Sequence, residues 1–153
     1  MTLTFTICTD MEVETIYNLV QDTIRTVYPK YYPEEVVDFF SAHHSHENIL
    51  HDIHKNKVWI LCDDKICLGT GTVDGCHVTR IFVHPKYQRC GYGKYIMNQL
   101  ENIVSSVYSH LEIDSSLPAA LFYEKLGYNT ITHGIIPVEN EKYLVYEIMK
   151  KDL

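Results

Sequence analysis

Residues 80–107 read RIFVHPKYQRCGYGKYIMNQLENIVSSV, and the architecture of the chain turns on them. Arg80, Ile81, Phe82 and Val83 open the stretch as a short, apolar, β-branched run. Pro85 stops it, because proline has no N–H to give to a sheet ladder. A Gln-Arg-Cys-Gly-Tyr-Gly turn follows at residues 88–93. Apolar residues then recur at Ile96, Leu100, Ile103, Val104 and Val107, the three-and-four spacing of an amphipathic helix. The stretch therefore predicts strand, glycine-bearing loop, helix. The first N–H groups of such a helix are free and point into the loop, and the helix dipole adds partial positive charge there. Gly91 and Gly93 lack a Cβ, so a ligand can approach the main chain, and Arg89 and Lys94 bring cations. The arrangement suits a phosphate or pyrophosphate, although a glycine pair at this place also occurs as an ordinary tight turn.

Two common phosphate loops fail here. The dinucleotide fingerprint G-x-G-x-x-G needs a third glycine where Ile96 stands. The P-loop G-x-x-x-x-G-K-[ST] needs glycine where Gln88 stands and serine or threonine where Tyr95 stands. A third pattern fits. Val83-x-Pro85, then Gln88-x-x-Gly91-x-Gly93 opening an amphipathic helix, resembles the coenzyme A loop of the GCN5-related N-acetyltransferases, the GNAT family. That loop reads Gln/Arg-x-x-Gly-x-Gly/Ala after a strand with a Val-x-Pro exit. Downstream, residues 116–128 read SLPAALFYEKLGY and resemble the family's second coenzyme A motif, Asn-x-x-Ala-x-x-x-Tyr-x-x-x-Gly-Phe/Tyr. Ala119, Tyr123, Gly127 and Tyr128 match it, whereas Ser116 stands at the Asn position, which bears on one hydrogen bond to the pantetheine arm.

Composition sets the bounds. The chain has 153 residues, enough for one domain with a sizeable core, and residues 1–153 are expected to form it. The 46% apolar and 12% aromatic content excludes disorder. A net charge of −7 disfavours nucleic acid as a partner and slightly favours a cationic substrate such as an amine or polyamine. Five cysteines, Cys8, Cys62, Cys67, Cys76 and Cys90, include no C-x-x-C pair, which predicts a reducing, cytoplasmic setting rather than a disulfide framework. No apolar run is long enough to cross a membrane.

Read in order, residues 3–8 predict a strand and Thr9 to Glu12 a capping box. A helix follows to about Tyr28, and another from Pro33, broken by the histidines at 43–46 and resuming near 48–54. Residues 58–62, 66–73 and 76–83 predict an antiparallel meander, with Asp74-Gly75 as a hairpin turn. Gly69 and Gly71 point to a bulge or a close backbone approach. Residues 111–114 predict a strand parallel to 76–83, since strand–helix–strand units pair that way. A short helix ends at Gly127, and residues 129–133 and 143–149 predict the last strands. The expected fold is α/β (α+β): a mixed, mostly antiparallel sheet of about seven strands flanked by about four helices, in the order of the GNAT family.

The resemblance implies an acetyl-coenzyme A-dependent N-acetyltransferase acting on a primary amine of a small molecule or peptide. It assigns the cofactor to the loop residues Gln88, Arg89, Cys90, Gly91, Tyr92, Gly93 and Lys94, to the backbone of Ile81, Phe82 and Val83, and to Ser116, Ala119 and Phe122. The pantetheine arm would lie in a wedge between the strand at 81–83 and its parallel neighbour, and a main-chain N–H near Phe82 or Val83 would polarise the thioester carbonyl. Tyr123 matches the position whose hydroxyl reaches the coenzyme sulfur. A phenol, with a pKa of about 10, can protonate a leaving thiolate. His77 lies six residues before Val83, where histone-modifying members carry a glutamate base. An imidazole with a pKa of about 6.5 suits that task, directly or through water. Simple alternation puts His77 on the strand face of Thr79 and Ile81. Tyr28, Tyr31, Tyr32, His43, His44 and His46 fall where the family shapes its acceptor pocket and could cage an amine by cation–π contact. The last two strands often meet a partner subunit in the family, so a homodimer is an expectation. His46-Glu47 with His51 resembles H-E-x-x-H with one residue too many, which turns the two imidazoles roughly 140° apart on a helix, so no metal site is expected. Cys90, at a helix start, is oxidisable but not a nucleophile. Rival readings are a non-catalytic acyl-coenzyme A-binding module, and a transferase using another acyl donor or a hydroxyl acceptor.

Overall fold

The computed structural model describes residues 2–153. Strand β1 (Leu3–Ile7) alternates threonine with apolar residues. Thr9 and Glu12 close the capping box, with Thr9 N donating to Glu12 Oε2 at 2.7 Å. Helix α1 (Val13–Val27) buries Val13, Ile16, Leu19, Val20 and Ile24 along one stripe. Pro33 and two glutamates start α2 (Glu34–His43). His44 leaves the helical conformation, and the Ser45 side chain accepts the Asn48 N–H to open α3 (His46–His54). The histidine-rich stretch is thus the junction of two helices, and residues 48–54 belong to a helix with its own cap.

The meander is β2 (Val58–Asp63), β3 (Ile66–Asp74) and β4 (His77–Val83). Helix α4 (Tyr92–Ser105) crosses back to β5 (His110–Ser115), and α5 (Ala120–Lys125) precedes the long hairpin of β6 (Asn129–Pro137) and β7 (Tyr143–Asp152). The seven-stranded sheet has the order β1-β2-β3-β4-β5-β7-β6. Every pairing is antiparallel except β4 with β5, and that parallel pair holds only His77↔Glu112 and Val78↔Ile113 in register.

A bulge explains why the two strands part so soon. Thr72 pairs with Arg80 and Val73 with Val78, so β4 carries Thr79 as an extra residue. A bulge bends its strand and strengthens the local twist. It also reverses the alternation of side chains. Val78 joins Ile81 against the α4-side core, which leaves His77 on the face of Arg80 and Phe82. The expectation that His77 shares a face with Ile81 is therefore corrected.

Two cores sandwich the sheet. On one face Ile16, Val20, Ile24, Val36 and Ile49 pack against Ile60, Phe82 and Leu144. On the other, Ile96, Met97, Leu100 and Val104 of α4 pack against Leu61, Leu68, Leu111 and Ile113. Burying each such side chain stabilises the fold by about 1.5–3 kcal/mol relative to exposure. Gly69 and Gly71 bring α4 onto β3: a Cβ on either would sit 2.8–2.9 Å from Ile96 or Leu100 atoms. No helix among the described residues is long and apolar enough to cross a membrane.

Candidate active site

The parting of β4 from β5 opens a cavity of about 800 Å³. One wall is the bare edge of β4. His84 N donates to Leu68 O on β3 at 2.9 Å, so alternation aims the amides of Ile81 and Val83 the other way, into the cavity. The Val83 carbonyl accepts Gln88 Nε2 at 3.1 Å, which ties the loop to the strand it follows.

The loop forms the mouth. Arg89 and Gly91 are both left-handed, with φ of 61° and 87°, and fold residues 88–91 tightly in front of α4. Glycine fits this role at position 91, where a Cβ would meet nothing within 4 Å but the backbone angle would be strained. The amides of Tyr92, Gly93 and Lys94 precede the first helical bond, Tyr95 N to Gly91 O at 3.0 Å, and donate to no backbone carbonyl among the described residues. They and the helix dipole present an anion-seeking surface. Gln88, Arg89, Gly91, Gly93 and Lys94 line the cavity, whereas Cys90 and Tyr92 do not. Cys90 is exposed, its Sγ 3.5 Å from Gln88 O.

Opposite the strand edge stand Ser116, Ala119, Phe122 and Tyr123. Tyr123 is buried and lines the cavity. Burial, helped by neighbouring Tyr28, pushes the phenol well above its ordinary pKa. Tyr28 lies beside Ser116 and is pushed up to about 12 by burial. At the closed end of the wedge, His77 Nε2 is buried without a hydrogen-bond partner and lies 3.4 Å from Asp114 Oδ2, within ion-pair range but outside hydrogen-bond geometry.

The face of Arg80 and Phe82 forms the far half. Tyr28, Tyr31, Phe39, Phe40 and His43 reach it from the first two helices and their connection, and Ile136, Leu144 and Tyr146 from the final hairpin. Tyr32 is not part of the lining: its hydroxyl accepts the Leu117 N–H at 2.8 Å and braces the start of the second motif. His46 is not in the lining either. The Ser45 cap turns it outward, where Nε2 meets Glu14 Oε1 at 2.6 Å.

Arg80, Thr72 and Asp52, which sequence reasoning left without a role, meet His44 in one hydrogen-bonded network on this face. Arg80 is buried, and donates from Nε to His44 Nδ1, from Nη1 to Thr72 Oγ1 and from Nη2 to Asp52 Oδ2, each at 3.1 Å. Burial, then the Arg80 charge, holds His44 well below the ordinary imidazole value, so it accepts as a neutral ring. His43 is lowered by the same two causes. The one sequence signal was Arg80 itself, a charge next to the apolar run Ile81, Phe82 and Val83. Among the described residues, no cluster of histidine, cysteine and carboxylate side chains could hold a metal ion.

A family model described as an acetyltransferase (GNAT) domain matches residues 27–151. The chain belongs to the GNAT family. Solved structures agree on the fold. A GCN5-related N-acetyltransferase from Rhodopseudomonas palustris, also described as an aminotransferase, class II, is 20% identical with a TM-score of 0.90, over 100% of this chain and 97% of the other. The PaiA N-acetyltransferase of Thermoplasma acidophilum, solved in complex with coenzyme A, is 15% identical with a TM-score of 0.74, over 100% of both chains. The ribosomal-protein-S18-alanine N-acetyltransferase of Escherichia coli is 17% identical with a TM-score of 0.72, over 99% of this chain and 94% of the other. No curated protein matches the sequence significantly. For this GNAT chain the splayed β4–β5 pair, the loop ahead of α4 and Tyr123 all open onto one cavity.

Proposed function

We propose that this GNAT chain binds acetyl-coenzyme A in the wedge between β4 and β5 and transfers its acetyl group to a primary amine by direct attack in a ternary complex. The observation that carries the reading is the continuity of two sets of unpaired amides. Those of Ile81 and Val83 suit an extended, amide-bearing arm, and those of Tyr92, Gly93 and Lys94 suit a pyrophosphate. The open space over Gly91 leaves room for the latter.

Bound acetyl-coenzyme A supplies an activated thioester carbonyl. The chain supplies the rest. An amide on the β4 edge donates to the carbonyl oxygen as negative charge grows on it. His77 takes the proton lost by the attacking ammonium, directly or through water. A C–N bond forms, the C–S bond breaks, the Tyr123 hydroxyl gives its proton to the leaving sulfur, and the second proton shed by the acylated nitrogen returns to the Tyr123 oxygen through water. Its raised pKa keeps that proton in place until the thiolate appears.

Isothermal titration with acetyl-coenzyme A, together with thiol release over an amine library, tests the reading. Binding with turnover is expected, and no binding by the folded protein sinks it. Tyr123→Phe should lower kcat by about 10²–10⁴-fold while the acetyl-coenzyme A Kd stays nearly constant. Binding without turnover, and a Tyr123→Phe variant indistinguishable from wild type, would instead favour a non-catalytic binding module.

A further inference from the structure

Resting on the acetyl-transfer reading above, we infer that the acceptor is a monoamine with an aromatic or bulky apolar body, and that polyamines and aminoglycosides are poor substrates. The overall charge of −7 points the other way, but the charge is not where an acceptor would sit. Among the described residues, Asp114 is the one carboxylate in the lining of the cavity. It stands at the closed end, 3.4 Å from His77, and so offers one ammonium a counter-charge beside the base candidate.

Beyond that end the wall is largely aromatic and aliphatic. Tyr28, Phe39, Phe40, Phe82, Ile136 and Tyr146 face the cavity from four parts of the chain. The rings already pack on one another, Phe40 edge-on to Tyr28 at 4.7 Å and Phe82 tilted to Tyr28 at 6.3 Å, so an aromatic body finds matching partners at ordinary stacking distances. The polar groups in this half hold no seat for a second cation. Asp52 is committed to Arg80, the guanidinium repels a further positive charge, and His43 and His44 are neutral rings. A second ammonium would lose its water without gaining a carboxylate, a cost that selects against it.

The test uses the full chain, saturating acetyl-coenzyme A and thiol release, with 2-phenylethylamine, tyramine and tryptamine set against spermidine, kanamycin and a short peptide with a free N-terminus. At least about a tenfold higher kcat/KM for an arylalkylamine is expected. Spermidine or kanamycin turned over equally well overturns the inference, as does exclusive use of the peptide. Acetyl-coenzyme A binding without turnover of any of these amines also overturns it while leaving the cofactor reading intact. Loss of acetyl-coenzyme A binding brings down both. A second arm adds the missing charge. Ile136→Asp should raise the spermidine-to-arylalkylamine ratio of kcat/KM by about tenfold with an unchanged acetyl-coenzyme A Kd, and an unmoved ratio in a folded variant refutes the account of the wall.

Discussion

Two Gly-x-Gly pairs bear on helix α4, and Gly91 of the second differs from Gly69 and Gly71 of the first in what lies over it. Gly69 and Gly71 on β3 are closed by protein: a Cβ at Gly71 would sit 2.9 Å from both Ile96 and Leu100, and one at Gly69 would strike the Phe82 carbonyl at 2.8 Å. Gly91 in the loop ahead of α4 is open, with nothing within 4 Å of its Cβ position. The first pair lacks side chains because α4 needs the space. Gly91 has none because its backbone is left-handed and its surroundings are empty. Both pairs are Gly-x-Gly, one inside a strand and one between a strand and a helix, and what fills the space above Gly71 and Gly91 tells packing from binding.

Substitution separates the two. The largest stability effect is expected at the closed pair. Gly71→Val forces two methyl-bearing side chains apart and should cost about 2–3 kcal/mol, a fall in Tm of roughly 4–12 °C, with the acetyl-coenzyme A Kd unchanged below the transition. A variant as stable as wild type would show that α4 is free to shift, and the comparison would fail. At the open Gly91 the effect moves from stability to binding. Gly91→Ala should cost about 1 kcal/mol in strain, seen by thermal melting, and weaken acetyl-coenzyme A about tenfold in titration, since the loop amides lose their alignment. Equal losses of stability at the two sites, without any change in affinity, would erase the distinction.

The smallest effect lies across β4, where no glycine makes room and Arg80 and His44 fill the space. The folded-state pKa of His44 lies well below 6.5. Above about pH 6.5 the ring is neutral in both states and its contribution is fully present. As pH falls from there towards the folded value, only the unfolded chain takes up the proton, so stability declines. Melting between about pH 7 and pH 5 should therefore show a steeper fall for wild type than for His44→Asn, whose carboxamide oxygen can still accept from Arg80. Parallel slopes would mean that the buried ring is not what resists protonation.

What the sequence made legible was local. The β4 strand, the loop and α4 are contiguous, and each announces itself by period, glycine and proline within a few residues. The parallel neighbour followed from the handedness of such units. Tyr28, Tyr31, His43 and His44 were named for the far half and line it, but how that half is tied together was opaque because its partners are remote. His44 and Arg80 are 36 positions apart, Arg80 and Asp52 28, and the Tyr32 hydroxyl reaches 85 positions to Leu117. No composition rule pairs them. The face of His77 was misjudged for a different reason. A bulge at Thr79 adds one residue to β4 without any glycine or proline to mark it, and a single added residue inverts every side chain before it. His46 drew notice by its neighbours in sequence, yet the Ser45 cap sets the helix phase that turns it towards Glu14.

The two rungs joining β4 to β5 have a consequence for how the molecule opens. They make the sheet two plates, β1 to β4 and β5 to β7, meeting along a seam that is mostly slot. The amides of Ile81 and Val83 sit on the lip of that slot and should exchange with solvent sooner than those on the β2–β3 ladder, whose strands are paired on both sides. The β5–β7–β6 plate is then a natural unit of partial unfolding, released by breaking little more than the seam and its helix contacts. An extended molecule laid into the slot acts as mortar: it couples the plates, slows exchange along both lips, and turns two loosely joined units into one that melts together.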